Sequence, residues 1–276
     1  MATSLRHELT SWFASPAGER LLTEQTPYLA ETARRFHGDT LLWAGCHTAV
    51  TETVRGCMVR NRLFTFCGDE ADEPEAVAPP DSELARFRCE LKATPLPNNS
   101  LDGAVLHHAL ELAEDPRAAV RELSRVLAPG ARLVVCAFNP MSLWGLRYAY
   151  ARFFQDSFSG LRFVSPVRLQ DWLAVLGFEL CDEVRYMAYG LPFGIGSGAD
   201  NMPEERKRWH PVRLAASLKA TLASHNPPVG GVYVISAVKQ AVGMRRDWSI
   251  PSSSNPDLAP VAYPKLSAWN RIERSG

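Results

Sequence analysis

The stretch Ala93-Thr94-Pro95-Leu96-Pro97-Asn98-Asn99-Ser100-Leu101-Asp102-Gly103-Ala104-Val105-Leu106-His107-His108, with its continuation to Pro140, is the most informative in the chain. Its Pro, Asn and Ser residues mark a turn, and Gly103 to His107 then reads as a short apolar strand. Asp115-Pro116 follows as a helix N-cap with proline at the first helical position. Ala119, Val120, Leu123, Val126 and Leu127 fall on one face of that helix, and Pro129-Gly130 is expected to end it. Arg132 to Phe138 is the next strand, apolar enough to be covered on both faces of a parallel sheet.

Working outward, the same alternation recurs. Ser15-Pro16 opens an N-terminal helix with Leu21, Leu22, Leu29 and Phe36 on one face, a kink or break expected at Pro27, and Gly38 as its stop. Strands are expected at Thr40–Gly45, Arg62–Gly68 and Arg86–Leu91, the last half exposed, with an acidic loop from Asp69 to Asp81. Ser165-Pro166 begins a helix bearing Leu169, Trp172, Leu173 and Leu176, with Gly177 as C-cap. Phe178–Cys181 and Gly231–Ser236 supply two closing strands. Strands alternating with helices give an α/β fold, a doubly wound and mostly parallel sheet of seven strands with an antiparallel closing strand. The fold occupies 1–239, with an insertion at about 186–229 that carries Gly190, Gly194, Gly196 and Gly198 and a basic stretch from Glu204. Residues 240–276, rich in Pro and Ser, read as an extended or disordered tail, in which Trp248 and Trp269 are candidate hooks for a protein partner.

Composition narrows the partners. The 276 residues are 46% hydrophobic, and 30 basic side chains balance 30 acidic ones, so no global field draws the chain to nucleic acid, and none is expected as a ligand. The six cysteines are scattered without a CxxC pair, as in a reduced cytosolic protein. No apolar run approaches the ~20 residues of a membrane span, and Arg6, His7 and Glu8 stand where a signal peptide needs an apolar core. A cytoplasmic location is the expectation.

The string Thr94-Pro-Leu-Pro-Asn-Asn-Ser-Leu-Asp102, then Glu114-Asp115-Pro116, Arg121-Glu122, Arg125-Val126-Leu127 and Pro129-Gly130, resembles the core of the type 11 branch of class I S-adenosylmethionine-dependent methyltransferases. Phe138-Asn139-Pro140, Gly145-Leu146-Arg147 and Asp171-Trp172-Leu173 bring it nearer to the bacterial YafS-like group of that branch. The resemblance covers roughly Pro16 to Val238 and implies a Rossmann-like sheet, S-adenosyl-L-methionine as cofactor and a small-molecule methyl acceptor.

It also implies where the chemistry sits. In an open parallel sheet, ligands bind beyond the C-terminal strand ends where the winding reverses, here between the first and fourth strands. The turn Trp43-Ala44-Gly45-Cys46-His47-Thr48-Ala49 would meet the cofactor's methionine end. It keeps the family's first glycine as Gly45, while Trp43 replaces the usual acid and His47 and Ala49 replace two glycines. Asp69 (or Glu70) would accept the ribose hydroxyls, and Glu90 with Leu91 would flank the adenine. His107 and His108 close the fourth strand as candidate proton acceptors, with strand alternation expected to send them to opposite sides. Cys46, His47 and one of these histidines would converge, but no local ligand spacing accompanies them and no metal is expected. Met141 to Gln155, with Trp144, Tyr148, Tyr150, Phe153 and Phe154, suits a bulky apolar or aromatic acceptor, or equally an aromatic core helix. The altered glycine turn leaves a second reading, a catalytically inactive methyltransferase-fold protein that serves as a binding module.

Overall fold

The structure, a computed structural model, describes residues 2–45, 51–66, 84–146, 160–189 and 225–241. The acidic loop, the glycine-rich insertion beyond 189, the tail beyond 241 and the aromatic stretch 147–159 lie outside the described residues.

Two helices open the chain, α1 (Ala2–Phe13) and α2 (Pro16–Ala33). They lead to β1 (His37–Gly45), a six-residue 3-10 helix (Thr51–Gly56), β2 (Met58–Phe66) and β3 (Leu84–Arg88). Then come β4 (Leu101–His107), α3 (Pro116–Val126), β5 (Leu127–Phe138), α4 (Pro166–Val175), β6 (Phe178–Leu180), β7 (Arg185–Met187) and β8 (Val232–Lys239). The sheet order is β3-β2-β1-β4-β5-β8-β6, with β7 also paired to β8. The first five strands run parallel, and β8 lies antiparallel between β5 and the outer edge. This is the mostly parallel, doubly wound sheet expected from the sequence. The winding reverses between β1 and β4, neighbours in space though two strands apart in sequence.

Strand periodicity divides the core into two layers. Leu41, Trp43, Val105, Cys136 and Phe138 face α1 and α2, where Leu9, Phe13, Leu21 and Leu29 cover them. Leu42, Ala44, Leu106, Val135 and Ala137 face α3 and α4, packed by Ala119, Leu123, Leu169 and Leu173. Each helix read from a Ser-Pro or Asp-Pro pair starts there because the cap side chain accepts backbone N–H groups that lack an intrahelical partner. Ser15 accepts from Gly18, Asp115 from Arg117 and Ala118, and Ser165 from Arg168.

Several details differ from the sequence reading. Helix α1 was not foreseen, and its Leu9 and Phe13 are buried in the core. Helix α2 runs unbroken through Pro27, because the apolar face on both sides of the proline is fastened to the sheet. Helix α3 stops at Val126, and Leu127 is already extended at φ −72°, ψ 133°, so Pro129-Gly130 lies within β5. Strand β3 ends at Arg88, and Cys89-Glu90-Leu91 lead out of it. The closing edge is two short strands on β8, β6 against Ala237–Lys239 and β7 against Val232–Val234.

Candidate functional site

Strands β1 and β4 end side by side, with Gly45 paired to His107. A Cβ on Gly45 would lie 2.9 Å from the His107 carbonyl oxygen and 3.2 Å from Trp43 Nε1, so this position has room only for glycine. The indole of Trp43 turns under the turn into the core, 2% exposed, with its ring 5.7 Å from that of His107. Its Nε1 is buried without a hydrogen-bond partner. Trp43 therefore forms the floor beneath Gly45 and offers a donor where an acid would offer an acceptor.

Beside that floor lies a buried polar cluster. His107 and His108 are both fully buried, and so is Gln25, which reaches them from α2. Alternation does not separate the two histidines: His108 has a left-handed backbone, φ 50°, so its ring turns back toward the layer that holds His107. The two rings meet edge to face, 4.8 Å apart. Gln25 bridges them, with Oε1 2.8 Å from His107 Nε2 and Nε2 3.1 Å from His108 Nε2. His108 Nδ1 lies 3.0 Å from Glu111 Oε1, which also accepts the Phe138 N–H at 2.7 Å. The carboxylate fixes the tautomers. His108 donates from Nδ1, Gln25 donates to its Nε2, and His107 Nε2 donates to the amide oxygen. Phe13 and Phe138 wall His108, with ring centroids at 5.1 and 4.3 Å.

The remaining expected site residues are spread along the strand ends. Cys46, His47 and Asp69 lie outside the described residues. Glu90 is exposed just after β3 and pairs with Lys92 at 3.2 Å; Lys92 in turn pairs with Glu114 at 2.5 Å. Leu91 is buried in the layer under α3 and α4. Gln25, Glu111 and Cys136 were missed. Gln25 stands in the apolar series Leu21, Leu22, Leu29 of α2, and Glu111 stands among Ala109, Leu110 and Leu112; a polar side chain out of pattern was the available signal.

The sequence motifs that identify the fold turn out to be fasteners around this site. Glu122 on α3 accepts Thr94 N–H and Oγ1–H, each at 2.9 Å. Arg125 grips the same carboxylate at 2.9 and 2.6 Å and donates to the Leu96 carbonyl at 2.9 Å. These contacts hold the Glu122 carboxyl at about 2, the Arg125 hydrogen bond being the largest cause. They tie the turn between β3 and β4 to α3. At the end of β5, buried Asn139 donates from Nδ2 to the carbonyls of Gly230 (2.9 Å) and Pro228 (3.1 Å) and accepts Met141 N–H at 3.0 Å. A Cβ on Gly231 would fall 2.1 Å from Trp144 Cδ1, so that glycine admits the indole.

This topology is that of the Rossmann-like fold of class I methyltransferases. Residues 59–135 match the methyltransferase domain of type 11, the branch whose motifs the sequence resembles. It is 35% identical over 159 residues to the uncharacterized protein YafS of Escherichia coli (strain K12), covering 58% of this chain and 65% of that one. Over 71 residues it is 41% identical to the malonyl-[acyl-carrier protein] O-methyltransferase of Halorhodospira halophila (strain DSM 244 / SL1), covering 25% of this chain and 24% of that one. The chain thus spans less than two thirds of each of these relatives. Among solved structures, it superposes on the complex between the Haloferax volcanii Trm112 methyltransferase activator and its methyltransferase. The TM-score is 0.56 at 14% identity, over 84% of this chain and 97% of that one.

Proposed function

We propose that the protein binds S-adenosyl-L-methionine beyond the ends of β1 and β4 and transfers its methyl group to a small apolar or aromatic acceptor. The observation that carries this reading is the reversal of winding between β1 and β4, whose ends Gly45 and His107 stand side by side where an open parallel sheet takes its ligands. Gly45, Cys46 and His47 would cradle the cofactor's methionine end above Trp43, Asp69 would take the ribose hydroxyls, and Glu90 with Leu91 would border the adenine.

Bound there, the cofactor supplies an electrophilic methyl on a sulfonium that is a good leaving group. The protein's share is then alignment and exclusion of water. The floor of Trp43, His107 and Phe13 is dry, and the Gln25 bridge to His107 stiffens it. His107 and His108 are the candidate proton acceptors; Gln25 must leave His108 Nε2 before that nitrogen receives a proton, whereas His107 would accept at Nδ1. Exposed Met141, Leu143 and Leu146 beyond β5 favour an apolar acceptor on that side. A protein partner engaging the tail 240–276 is a further part of this reading.

Incubating the full chain with labelled S-adenosyl-L-methionine and a panel of small phenolic, fatty-acyl and isoprenoid acceptors tests this reading. Label transfer that disappears in Gly45→Val supports it. Cofactor binding without transfer to any acceptor class would favour the inactive binding module, the reading that the exchange of an acid for Trp43 motivates.

A further inference from the structure

The Gln25 cluster holds more than hydrogen bonds. His107, His108 and Cys136 are all buried, and one donor atom from each lies within 4.8 Å of the others. Cys136 Sγ is 3.8 Å from His108 Nε2. A tetrahedral metal with bonds of ~2.0–2.3 Å keeps its donors roughly 3.3–3.8 Å apart, so the His108–Cys136 pair is already spaced for one and His107 needs a shift of about 1 Å.

Two further observations point the same way. The first is orientation: His108 gives its Nδ1–H to Glu111, the carboxylate–histidine arrangement found behind metal-ligating imidazoles, and its Nε2, which accepts the Gln25 amide N–H, also lies 3.8 Å from Cys136 Sγ, so a metal there takes the place of that amide hydrogen. The second is rigidity: Glu111 is 1% exposed and also accepts the Phe138 N–H at 2.7 Å, so the imidazole it orients is held in place.

We propose that a ring nitrogen of His107, Nε2 of His108 and the Cys136 thiolate form a binding site for a borderline divalent transition metal, Zn²⁺ first, with the Gln25 amide oxygen turning in as fourth ligand. Binding releases the thiol proton of Cys136 to solvent and changes no oxidation state. The nitrogen and sulfur donors disfavour Mg²⁺ and Ca²⁺. Because Gln25 belongs to α2 while the other donors come from the ends of β4 and β5, the metal fastens α2 across the sheet beside the Gly45 turn. In the structure the Gln25 amide stands between the two imidazoles. The site differs from the set that the sequence brings to mind, since Cys136 replaces Cys46 and His47, and it stands whether or not methyl transfer occurs.

The test is to refold the full chain with ZnSO₄ or CoCl₂ present, remove free metal by gel filtration and measure metal per chain. A single retained equivalent is expected. The Co²⁺ form should show a thiolate charge-transfer band in the near ultraviolet and intense tetrahedral bands in the visible. Cys136→Ser should lose the charge-transfer band, while Cys57→Ser, a buried cysteine outside the cluster, should keep it. If Cys136→Ser does not fold, the wild-type urea midpoint decides: it should rise with Zn²⁺ and fall back with a chelator. Metal retained well below one equivalent, an unmoved midpoint, or a charge-transfer band that survives Cys136→Ser would overturn the proposal and leave the cluster a hydrogen-bonded lock.

Discussion

Replacing Glu122 by glutamine removes one charge at nearly constant shape, in the network that holds the turn between β3 and β4. The carboxylate takes two hydrogen bonds from Thr94 and two from Arg125, and these hold its pKa at about 2 against an ordinary 4.5. At about 1.4 kcal/mol per tenfold change, the full depression corresponds to a ceiling of ~3 kcal/mol. The side chains are 14% exposed at Glu122 and 36% at Arg125. Solvent screening therefore lowers the expected contribution to about 1.5–2 kcal/mol. A carboxyl depressed in the folded state stabilises above its unfolded pKa and loses that contribution as pH falls through the folded value. The window here is from roughly pH 4.5 down to about 2. Urea unfolding followed by circular dichroism should show Glu122→Gln less stable than wild type at pH 7, with the gap narrowing steadily as the pH is lowered toward 3. A gap that is absent at neutral pH, or that stays constant across this range, would refute the reasoning.

Substitutions at three other positions probe the site and its supports. Gly45→Ala places a methyl 2.9 Å from the His107 carbonyl oxygen; a loss of about 1–3 kcal/mol in thermal unfolding and weaker cofactor binding are expected. Glu111→Leu strips acceptors from His108 Nδ1–H and Phe138 N–H in a dry site and should cost about 2–4 kcal/mol, with Glu111→Gln milder because an amide oxygen remains; equal denaturation midpoints for the two variants would contradict this. Asn139→Ala frees the carbonyls of Pro228 and Gly230 and should raise hydrogen-exchange rates around 228–231 while leaving β1 protected.

The fold was legible because its strongest signals are local. The Ser-Pro and Asp-Pro caps, the apolar run Leu133–Phe138 and the Thr94–Asp102 turn each state a conformation without reference to distant residues. Their structural partners explain why the motif is so recognisable: Glu122, Arg125 and Asn139 fasten loops to the sheet. The candidate site was legible only in part. Gly45 and the two histidines stand at strand ends, where topology alone brings them together. Gln25 and Cys136, 111 positions apart in the sequence, acquire meaning only once α2 lies over β5. The orientation of His108 was misjudged because one left-handed residue cancels strand alternation, and nothing in the string His107-His108 marks that conformation in a non-glycine residue. Helix α1 was missed for a related reason: its two core anchors, Leu9 and Phe13, are too few to stand out before their partners are known.

The most direct measurement is calorimetric titration of the full chain with S-adenosyl-L-methionine and with S-adenosyl-homocysteine, alongside a folded Gly45→Val variant. The account predicts saturable binding of both nucleosides to the wild-type chain and its loss in the variant. An absence of heat, together with an unchanged melting temperature at millimolar nucleoside, would contradict it.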